Sequence, residues 1–165
     1  MHDKIGLFTG SFDPITNGHV ELIERASRLF DILYVGIFYN PAKTGLFKIE
    51  SREKMVKKAL SHLENVSVVV SQDEVAVAVA ERLKVTSFVR GLRNGQDLEY
   101  EQELAFFNRE LARDVDTIFL VPSPQVRYLS SSRVRELIAF GQDISAYVPK
   151  SVVKELVNEQ EKNEP

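Results

Sequence analysis

The sequence predicts an α/β protein built on a doubly wound, five-stranded parallel sheet. Five short apolar runs rich in branched residues alternate with longer amphipathic segments, which is the pattern of strands joined by crossover helices. The second run, 32–38, is almost continuously apolar, as is typical of a strand covered on both faces. We therefore expect helices on both sides of the sheet.

Each element has its own signal along the chain. The apolar runs predict strands over 4–8, 32–38, 66–70, 87–90 and 117–121. Apolar residues at helical spacing predict helices over 19–30, 50–63, 75–83, 98–112 and 131–140, and a last one that begins at Pro149. Segment 75–83 also fits a strand, but a crossover must precede the next parallel strand. Asp97 is the predicted cap of the fourth helix, Ser130 or Ser131 that of the fifth, which Gly141 ends.

Composition indicates one globular domain over 1–157, followed by a polar tail at 158–165. The chain has 165 residues, of which 44% are hydrophobic and 27% charged, enough for a single buried core. It has no cysteine, which excludes a thiol nucleophile and cysteine metal sites. The sequence contains no run of about 18 apolar residues, which is the length that a membrane-spanning helix needs. We expect a cytoplasmic protein.

The charge balance bears on possible partners. The net charge is −3, whereas proteins that bind a nucleic-acid duplex normally carry a basic excess. Nucleic-acid binding is therefore disfavoured. Any anionic partner should be small and held by a local cluster of positive groups.

The connection after the first strand is the strongest candidate for a ligand site, because ligands of doubly wound sheets bind beyond the carboxyl ends of the strands. Gly10 and Ser11 follow the strand, and Thr16 leads into a helix whose first turn contains His19. The free amides of a helix start attract phosphate. A plain turn with His19 as a cap is the alternative, but the combination in one connection favours function.

Basic residues follow two other strands. Lys43 follows the second strand, where a solvated charge and a ligand contact are about equally good interpretations. Arg90 ends the fourth strand, a costly place for arginine unless it meets an anion or a carboxylate. For Arg93 nearby, a structural ion pair with Glu99 or Glu101 is a serious alternative.

A second hydroxyl-rich helix start lies near the end of the chain. Ser130, Ser131 and Ser132 are followed by Arg133, an arrangement suited to binding an anion, although a simple cap needs only one serine. Two such helix starts predict a polyphosphate ligand, hence a nucleotide. The sequence has no G-x-x-x-x-G-K-[ST] or G-x-G-x-x-G motif. It also has no H-E-x-x-H motif, no cysteine-histidine metal set and no G-x-S-x-G elbow.

The motifs also resemble a known family. The segment Gly-Ser-Phe-Asp-Pro-Ile-Thr-Asn-Gly-His at 10–19 resembles the [TH]-x-G-H signature of the nucleotidyltransferase superfamily. With Arg-Gly-Leu-Arg at 90–93, the acidic segment 97–101 and the three serines at 130–132, the chain resembles the bacterial phosphopantetheine adenylyltransferases over nearly its full length. This resemblance implies a Rossmann-like nucleotidyltransferase fold and transfer of AMP from ATP to 4′-phosphopantetheine, a step of coenzyme A biosynthesis.

The resemblance also implies roles for individual residues. His19 would stabilise the transition state, and Ser11 would contact both substrates. Lys43 and Arg90 would grip the acceptor phosphate, and Ala76 would lie near the pantetheine arm. The nucleotide site, besides Ser11 and His19, would comprise Phe12, Gly91, Leu92, Arg93, Glu101, Val126, Arg127, Tyr128, Leu129, Ser130, Ser131 and Ser132.

Family resemblance further implies Mg²⁺ accompanying ATP, a homohexamer and feedback by coenzyme A. Phe106 and Phe107 could contact another subunit, although core packing is the simpler explanation for at least one. Because a phosphate nucleophile is largely ionised above its second pKa of ~6, we expect direct in-line transfer without a general base. Two alternatives stay open: adenylyl transfer to another phosphate acceptor, such as nicotinamide mononucleotide, and a non-catalytic nucleotide-binding module.

Overall fold

The computed structural model describes residues 3–40 and 42–163. In this part of the chain, five parallel strands form one sheet. The strands are β1 (Ile5–Gly10), β2 (Ile32–Tyr39), β3 (Val66–Gln72), β4 (Ser87–Gly91) and β5 (Asp116–Leu120). Their order in the sheet is β3-β2-β1-β4-β5. The helices are α1 (Asn17–Ser27), α2 (Ile49–Ala59), α3 (Ala76–Arg82), α4 (Gly95–Leu111), α5 (Ser131–Ala139) and α6 (Lys150–Asn163). The predicted fold class is confirmed.

Helices cover both faces of the sheet, as the apolar β2 predicts. Successive side chains of a strand point to opposite faces, so Leu7 and Phe8 of β1 belong to different core clusters. The larger cluster lies under α1, α2, α5 and α6, which contribute Ile23, Ala26, Met55, Val56, Val134 and Val152. The smaller cluster lies under α3, which contributes Val77, Val79 and Ala80. None of the described helices is long and apolar enough to cross a membrane.

Capping side chains set the helix ends. Ser130 caps α5 by accepting a hydrogen bond from the Arg133 amide, and Gly141, with φ at 65°, ends that helix as predicted. The prediction that Asp97 caps α4 is wrong. Asn94 is the cap, and its Oδ1 accepts from the Asp97 amide at 2.9 Å, which starts the helix at Gly95.

The C-terminal helix extends further than the sequence pattern predicts. α6 continues to Asn163, through most of the segment 158–165 that reads as a polar tail. It is fixed to α2 by the buried Glu155, which accepts from Lys54 Nζ at 2.6 Å and Ser51 Oγ at 2.9 Å. The hydrogen bond from Lys54 holds the pKa of Glu155 below its usual range despite burial.

Helix α4 packs loosely on its own sheet. Among its residues Glu101 is buried, whereas Tyr100, Phe106, Phe107 and Leu111 are exposed. The rings of Phe106 and Phe107 contact each other edge to face, with centroids 5.3 Å apart. The expectation that at least one of the two phenylalanines packs in the core is therefore wrong. The side of α4 that faces the protein carries the charged Glu101 instead.

Candidate active site

The strand order reverses next to β1, and a cavity opens at that point. β2 lies on one side of β1 and β4 on the other, so the carboxyl ends of β1 and β4 flank a cleft, as in other doubly wound sheets. The cleft has a volume of about 300 Å³, and we call it the switch-point cavity. The sequence-predicted residues that line it are Ser11, His19, Arg90, Gly91, Arg93, Glu101, Val126, Leu129, Ser130, Ser131 and Ser132.

A second cavity lies beside the first, beyond the ends of β1 and β2. It has a volume of about 330 Å³, and we call it the Lys43 cavity after its exposed cation. Ser11 and Arg135 line both cavities. Two ligands bound in these cavities would therefore meet beside the Ser11 hydroxyl.

His19 presents a hydrogen-bond donor to the switch-point cavity. It lies in the first turn of α1, where its Nδ1 accepts the backbone N–H of the cap residue Thr16 at 3.0 Å. Nδ1 must then be unprotonated, which places the ring proton on Nε2. The Phe12 ring packs on the imidazole with centroids 5.1 Å apart. His19 is thus both a cap and an oriented donor, so the two interpretations of the sequence are compatible.

The His19 imidazole is expected to stay neutral at physiological pH. Burial, together with the nearby positive charges of Arg93 and Arg90, lowers its pKa to about 4. An NMR titration of the free protein should show this midpoint rather than the ordinary 6.5. Because the unfolded chain takes up this proton first, the free energy of unfolding should decrease as the pH falls from 6.5 towards 4. A midpoint near the ordinary value would contradict the enclosed position of the ring.

The amides at the start of α1 are less available than the sequence suggests. The Asn17 N–H donates to Tyr147 O at 2.9 Å, and the His19 N–H donates to Thr16 Oγ1 at 3.3 Å. Two of the first donors of this helix are therefore already bound. A phosphate bound here would therefore depend more on side chains than on the amides of the helix start.

Arg90 is largely committed to the protein itself. Its Nε and Nη2 donate to the buried Glu101 carboxylate at 2.8 and 2.6 Å, and Nη1 donates to the carbonyl and hydroxyl oxygens of Thr9 at 2.9 and 2.7 Å. A guanidinium has five N–H donors, so one remains for a ligand. The Glu101 pairing considered for Arg93 belongs to Arg90.

Arg93 pairs with Asp97, one helical turn further along. Its Nε and backbone N–H both donate to Asp97 Oδ2, at 3.0 and 2.9 Å. Burial would raise the pKa of Asp97, but the hydrogen bonds from Arg93 outweigh it and the pKa is lowered. Arg90 of β4 and Arg93 after it therefore line the cavity with their charges already balanced.

The three serines at the start of α5 differ in what they offer. Ser131 Oγ donates to Pro14 O at 2.8 Å, which joins α5 to the β1–α1 connection. Ser130 Oγ accepts from the Arg133 amide at 3.1 Å and Ser132 Oγ accepts from Arg135 Nη2 at 3.1 Å. A hydroxyl that accepts can still donate its own hydrogen, so Ser130 and Ser132 remain able to bind an anion.

The arginine of α5 that faces the site is Arg135 rather than Arg133. Arg133 pairs with Glu136 on the exposed side of the helix, whereas Arg135 lines both cavities and donates to Asp13 O at 2.8 Å. Helical spacing was the available signal, since Arg135 lies four residues after Ser131 and shares its face. Arg135 was not among the site residues predicted from the sequence.

Unbalanced positive charge at the site comes from two residues. In the described residues, neither Lys43 nor Arg135 forms a salt bridge. One side chain lies in the Lys43 cavity and the other at the boundary between the two cavities. Anionic ligands in either cavity would therefore be attracted towards the point where the cavities meet.

The donor set of the site does not suit a metal ion bound by the protein alone. No group of three or more His, Cys, Asp or Glu side chains in the described part of the chain could hold one. The two carboxylates of the switch-point cavity, Asp97 and Glu101, are each bound to an arginine. A divalent cation here would need most of its ligands from a bound substrate.

Comparison with known proteins identifies the family. Residues 7–137 match the family model described as cytidylyltransferase-like. The phosphopantetheine adenylyltransferase of Streptococcus gordonii is 67% identical over 156 residues, which cover 94% of this chain and 95% of that one. The Streptococcus pneumoniae protein of the same name is 60% identical over 159 residues, covering 96% and 98%. The chain belongs to the phosphopantetheine adenylyltransferase family.

A solved structure supports the fold alone. It is a Vibrio parahaemolyticus protein provisionally named nicotinate-nucleotide adenylyltransferase, with a TM-score of 0.73 and 22% identity, and the match covers 96% of this chain and 94% of that one. The sheet and its crossovers are therefore shared with a distant protein. The phosphopantetheine adenylyltransferase assignment depends on the high-identity relatives.

Some residues that the family resemblance assigns to the site do not line either cavity. Phe12 is buried beneath His19, and Leu92 joins β4 to β5 through its amide. Arg127 donates from Nε to Arg93 O at 2.8 Å and lies over the ring of Tyr128, which is 82% exposed. Ala76 begins α3 and packs against the smaller core cluster. The structure therefore does not bring these residues to the walls of either cavity.

Proposed function

We propose that this chain transfers AMP from ATP to the phosphate of 4′-phosphopantetheine, giving dephospho-coenzyme A and pyrophosphate. The observation that carries the proposal is the pair of cavities that meet at Ser11, one with the His19 donor and the serines of α5, the other with Lys43. For group transfer between two phosphate-bearing substrates, each substrate needs its own binding cavity, and the two cavities must meet at the reacting groups. Relatives 60% and 67% identical carry the name phosphopantetheine adenylyltransferase, which supports the choice of acceptor.

The chemistry follows from charge and geometry. A phosphate nucleophile needs no general base, but it must approach another polyanion. Lys43 and Arg135 offset that repulsion and direct the acceptor towards the α-phosphate. The His19 Nε2–H stabilises charge that builds on the α-phosphate oxygens during direct in-line transfer. Ser130 and Ser132 hold the leaving pyrophosphate.

Magnesium enters this reaction as the ATP complex. The phosphate oxygens and water supply most of its ligands, because the carboxylates of the cavity are bound to arginines. We expect no Mg²⁺ binding by calorimetry without nucleotide, and loss of activity with excess chelator. Tight Mg²⁺ binding to the free protein would contradict this assignment.

The proposal also covers the assembly of the enzyme and its regulation. The exposed aromatic residues of α4 suit a contact between subunits, and a homohexamer is the expected assembly. Coenzyme A is the expected feedback ligand, and a cytoplasmic location remains the expectation of the sequence. Analytical ultracentrifugation tests the assembly, and inhibition of the purified enzyme by coenzyme A tests the feedback.

Arg135→Gln provides a specific test of the charge argument. Removing one of the two unbalanced cations should lower kcat/KM about tenfold and weaken its dependence on ionic strength, because screening acts on that charge. Arg133→Gln is the matched control, two residues away and paired with Glu136 on the exposed side of the helix, and should change little. Equal effects of the two variants would contradict the assignment.

The proposed function is tested by pyrophosphate release from ATP and MgCl₂. Wild-type protein is assayed with 4′-phosphopantetheine, with nicotinamide mononucleotide and without acceptor. Release with 4′-phosphopantetheine alone, with dephospho-coenzyme A identified by mass, is the expected result. Release with the mononucleotide alone would keep the fold and discard the acceptor. ATP binding without any release would favour a non-catalytic nucleotide-binding module.

A further inference from the structure

A buried ion pair beneath the Lys43 cavity has no part in the mechanism above. Asp13 is 5% exposed and Arg52 is 8% exposed, and Arg52 Nε lies 3.4 Å from Asp13 Oδ1. Burying two charges is costly, and such a pair is often no more stable than apolar residues of the same size. Its presence beside the site therefore calls for an explanation beyond stability.

The Asp13 carboxylate fastens the segment that carries Lys43. Its Oδ2 accepts the backbone N–H of Leu46 and its Oδ1 that of Phe47, each at 2.8 Å. These amides lie three and four residues after Lys43. The cation is therefore tied, through a short piece of backbone, to the connection that also carries Ser11.

Arg52, in α2, links the same two segments of backbone. Its Nε donates to Phe47 O at 2.8 Å and its Nη1 to Ser11 O at 3.3 Å. A side chain at Gly45 would meet it directly, since a Cβ there would lie 1.7 Å from Arg52 Nη2. Arg52 also balances the Asp13 charge, which would otherwise repel an anion in the Lys43 cavity.

Asp13 also reaches the other cavity through its backbone. Its carbonyl accepts Arg135 Nη1 at 2.8 Å, and Arg135 Nη2 donates to Ser132 Oγ at 3.1 Å. The same residue thus holds the Lys43 segment with its carboxylate and the unbalanced arginine of α5 with its carbonyl. The distance between the two cations depends on it.

We propose that Asp13 and Arg52 are positioning residues. Together they fix the position of Lys43 relative to Ser11 and Arg135, so that these groups can bind the acceptor phosphate. This inference rests on the proposed function. Neither residue takes part in the chemical step. The pair acts through the backbone of 45–47, and its loss should weaken acceptor binding more than ATP binding, because the ATP-side groups His19 and Ser130 are held by other contacts.

The test compares KM for the two substrates in two variants. Asp13→Asn keeps the size of the side chain but removes the charge and one acceptor, and Gly45→Ala displaces Arg52 without removing any polar group. Each should raise KM for 4′-phosphopantetheine about tenfold, with KM for ATP changed less than about twofold. Hydrogen exchange at the Leu46 and Phe47 amides should become faster in Asp13→Asn. This exchange directly measures the hydrogen bonds between these amides and the Asp13 carboxylate.

Glu155→Gln is the matched control, since its carboxylate is as buried as that of Asp13 and pairs with the half-exposed Lys54 between α2 and α6. It should lower the melting temperature without separating the two KM values. Parallel rises in both KM values, or a fall in melting temperature alone, would overturn the positioning role while the proposed function stands. If the wild-type chain releases no pyrophosphate with 4′-phosphopantetheine, the proposed function fails and this inference fails with it.

Discussion

The His19→Ala variant is expected to fold and to lose about 10²- to 10³-fold in kcat, with much smaller changes in KM. The lost group is the Nε2–H donor, whose orientation is set by the 3.0 Å hydrogen bond from the Thr16 amide to Nδ1. A donor directed at charge that develops in the transition state contributes mainly to the rate. Removing the imidazole also costs the hydrogen bond from the Thr16 amide that completes the capping box of α1, about 1 kcal/mol of stability.

His62→Ala is the control for this prediction. His62 is half-exposed and pairs with Glu24 at 2.7 Å on the surface, so its loss should leave kcat unchanged. The test measures steady-state rates of pyrophosphate release and melting temperatures for both variants. A large rise in KM for ATP with kcat preserved would show that His19 binds the ground state instead.

Arg90→Ala is expected to have the largest combined effect on stability and binding. It would leave the Glu101 carboxylate, whose side chain is 7% exposed, without its cation, at a cost of about 3–5 kcal/mol. The uncompensated negative charge lines the switch-point cavity and not the Lys43 cavity, so it would repel ATP there and raise its KM by about 10²-fold. Chemical denaturation and substrate titrations measure the two effects separately.

Two further variants separate charge from packing at this pair. The double variant Arg90→Met with Glu101→Met should recover most of the lost stability, because no buried charge is left unpaired. It should also recover most of the ATP binding, because the repelling carboxylate is removed as well. Glu101→Gln leaves the Arg90 charge unbalanced and should not raise KM for ATP. A rise as large as that of Arg90→Ala would contradict the electrostatic argument.

Local patterns were sufficient to predict the framework of this protein. The alternation of apolar runs and amphipathic segments predicted all five strands of the sheet, because periodicity depends on neighbouring residues. Chain connectivity then placed the ligand site at the strand ends. The cap residue Ser130 was also predictable, because its side chain carries an acceptor. Asn94 and Asp97 compete for the start of α4, and the prediction of Asp97 was wrong.

Details of the site required the fold, because they depend on pairs of residues far apart in the chain. The order of the strands places Thr9 beside Arg90, and α4 brings Glu101 to the same guanidinium, which shows that the partner of Arg90 is a carboxylate, one of the two alternatives that the sequence left open.

The sequence alone therefore determined the fold class, the connections that carry the site and most of the residue types within it. Only the tertiary structure decided which charges are balanced, that Arg135 rather than Arg133 faces the cavities, and that Asp13 holds the Lys43 segment. The physical reason is that hydrophobic period and capping are local properties, whereas charge pairing and burial depend on contacts that exist only after the sheet and helices have packed.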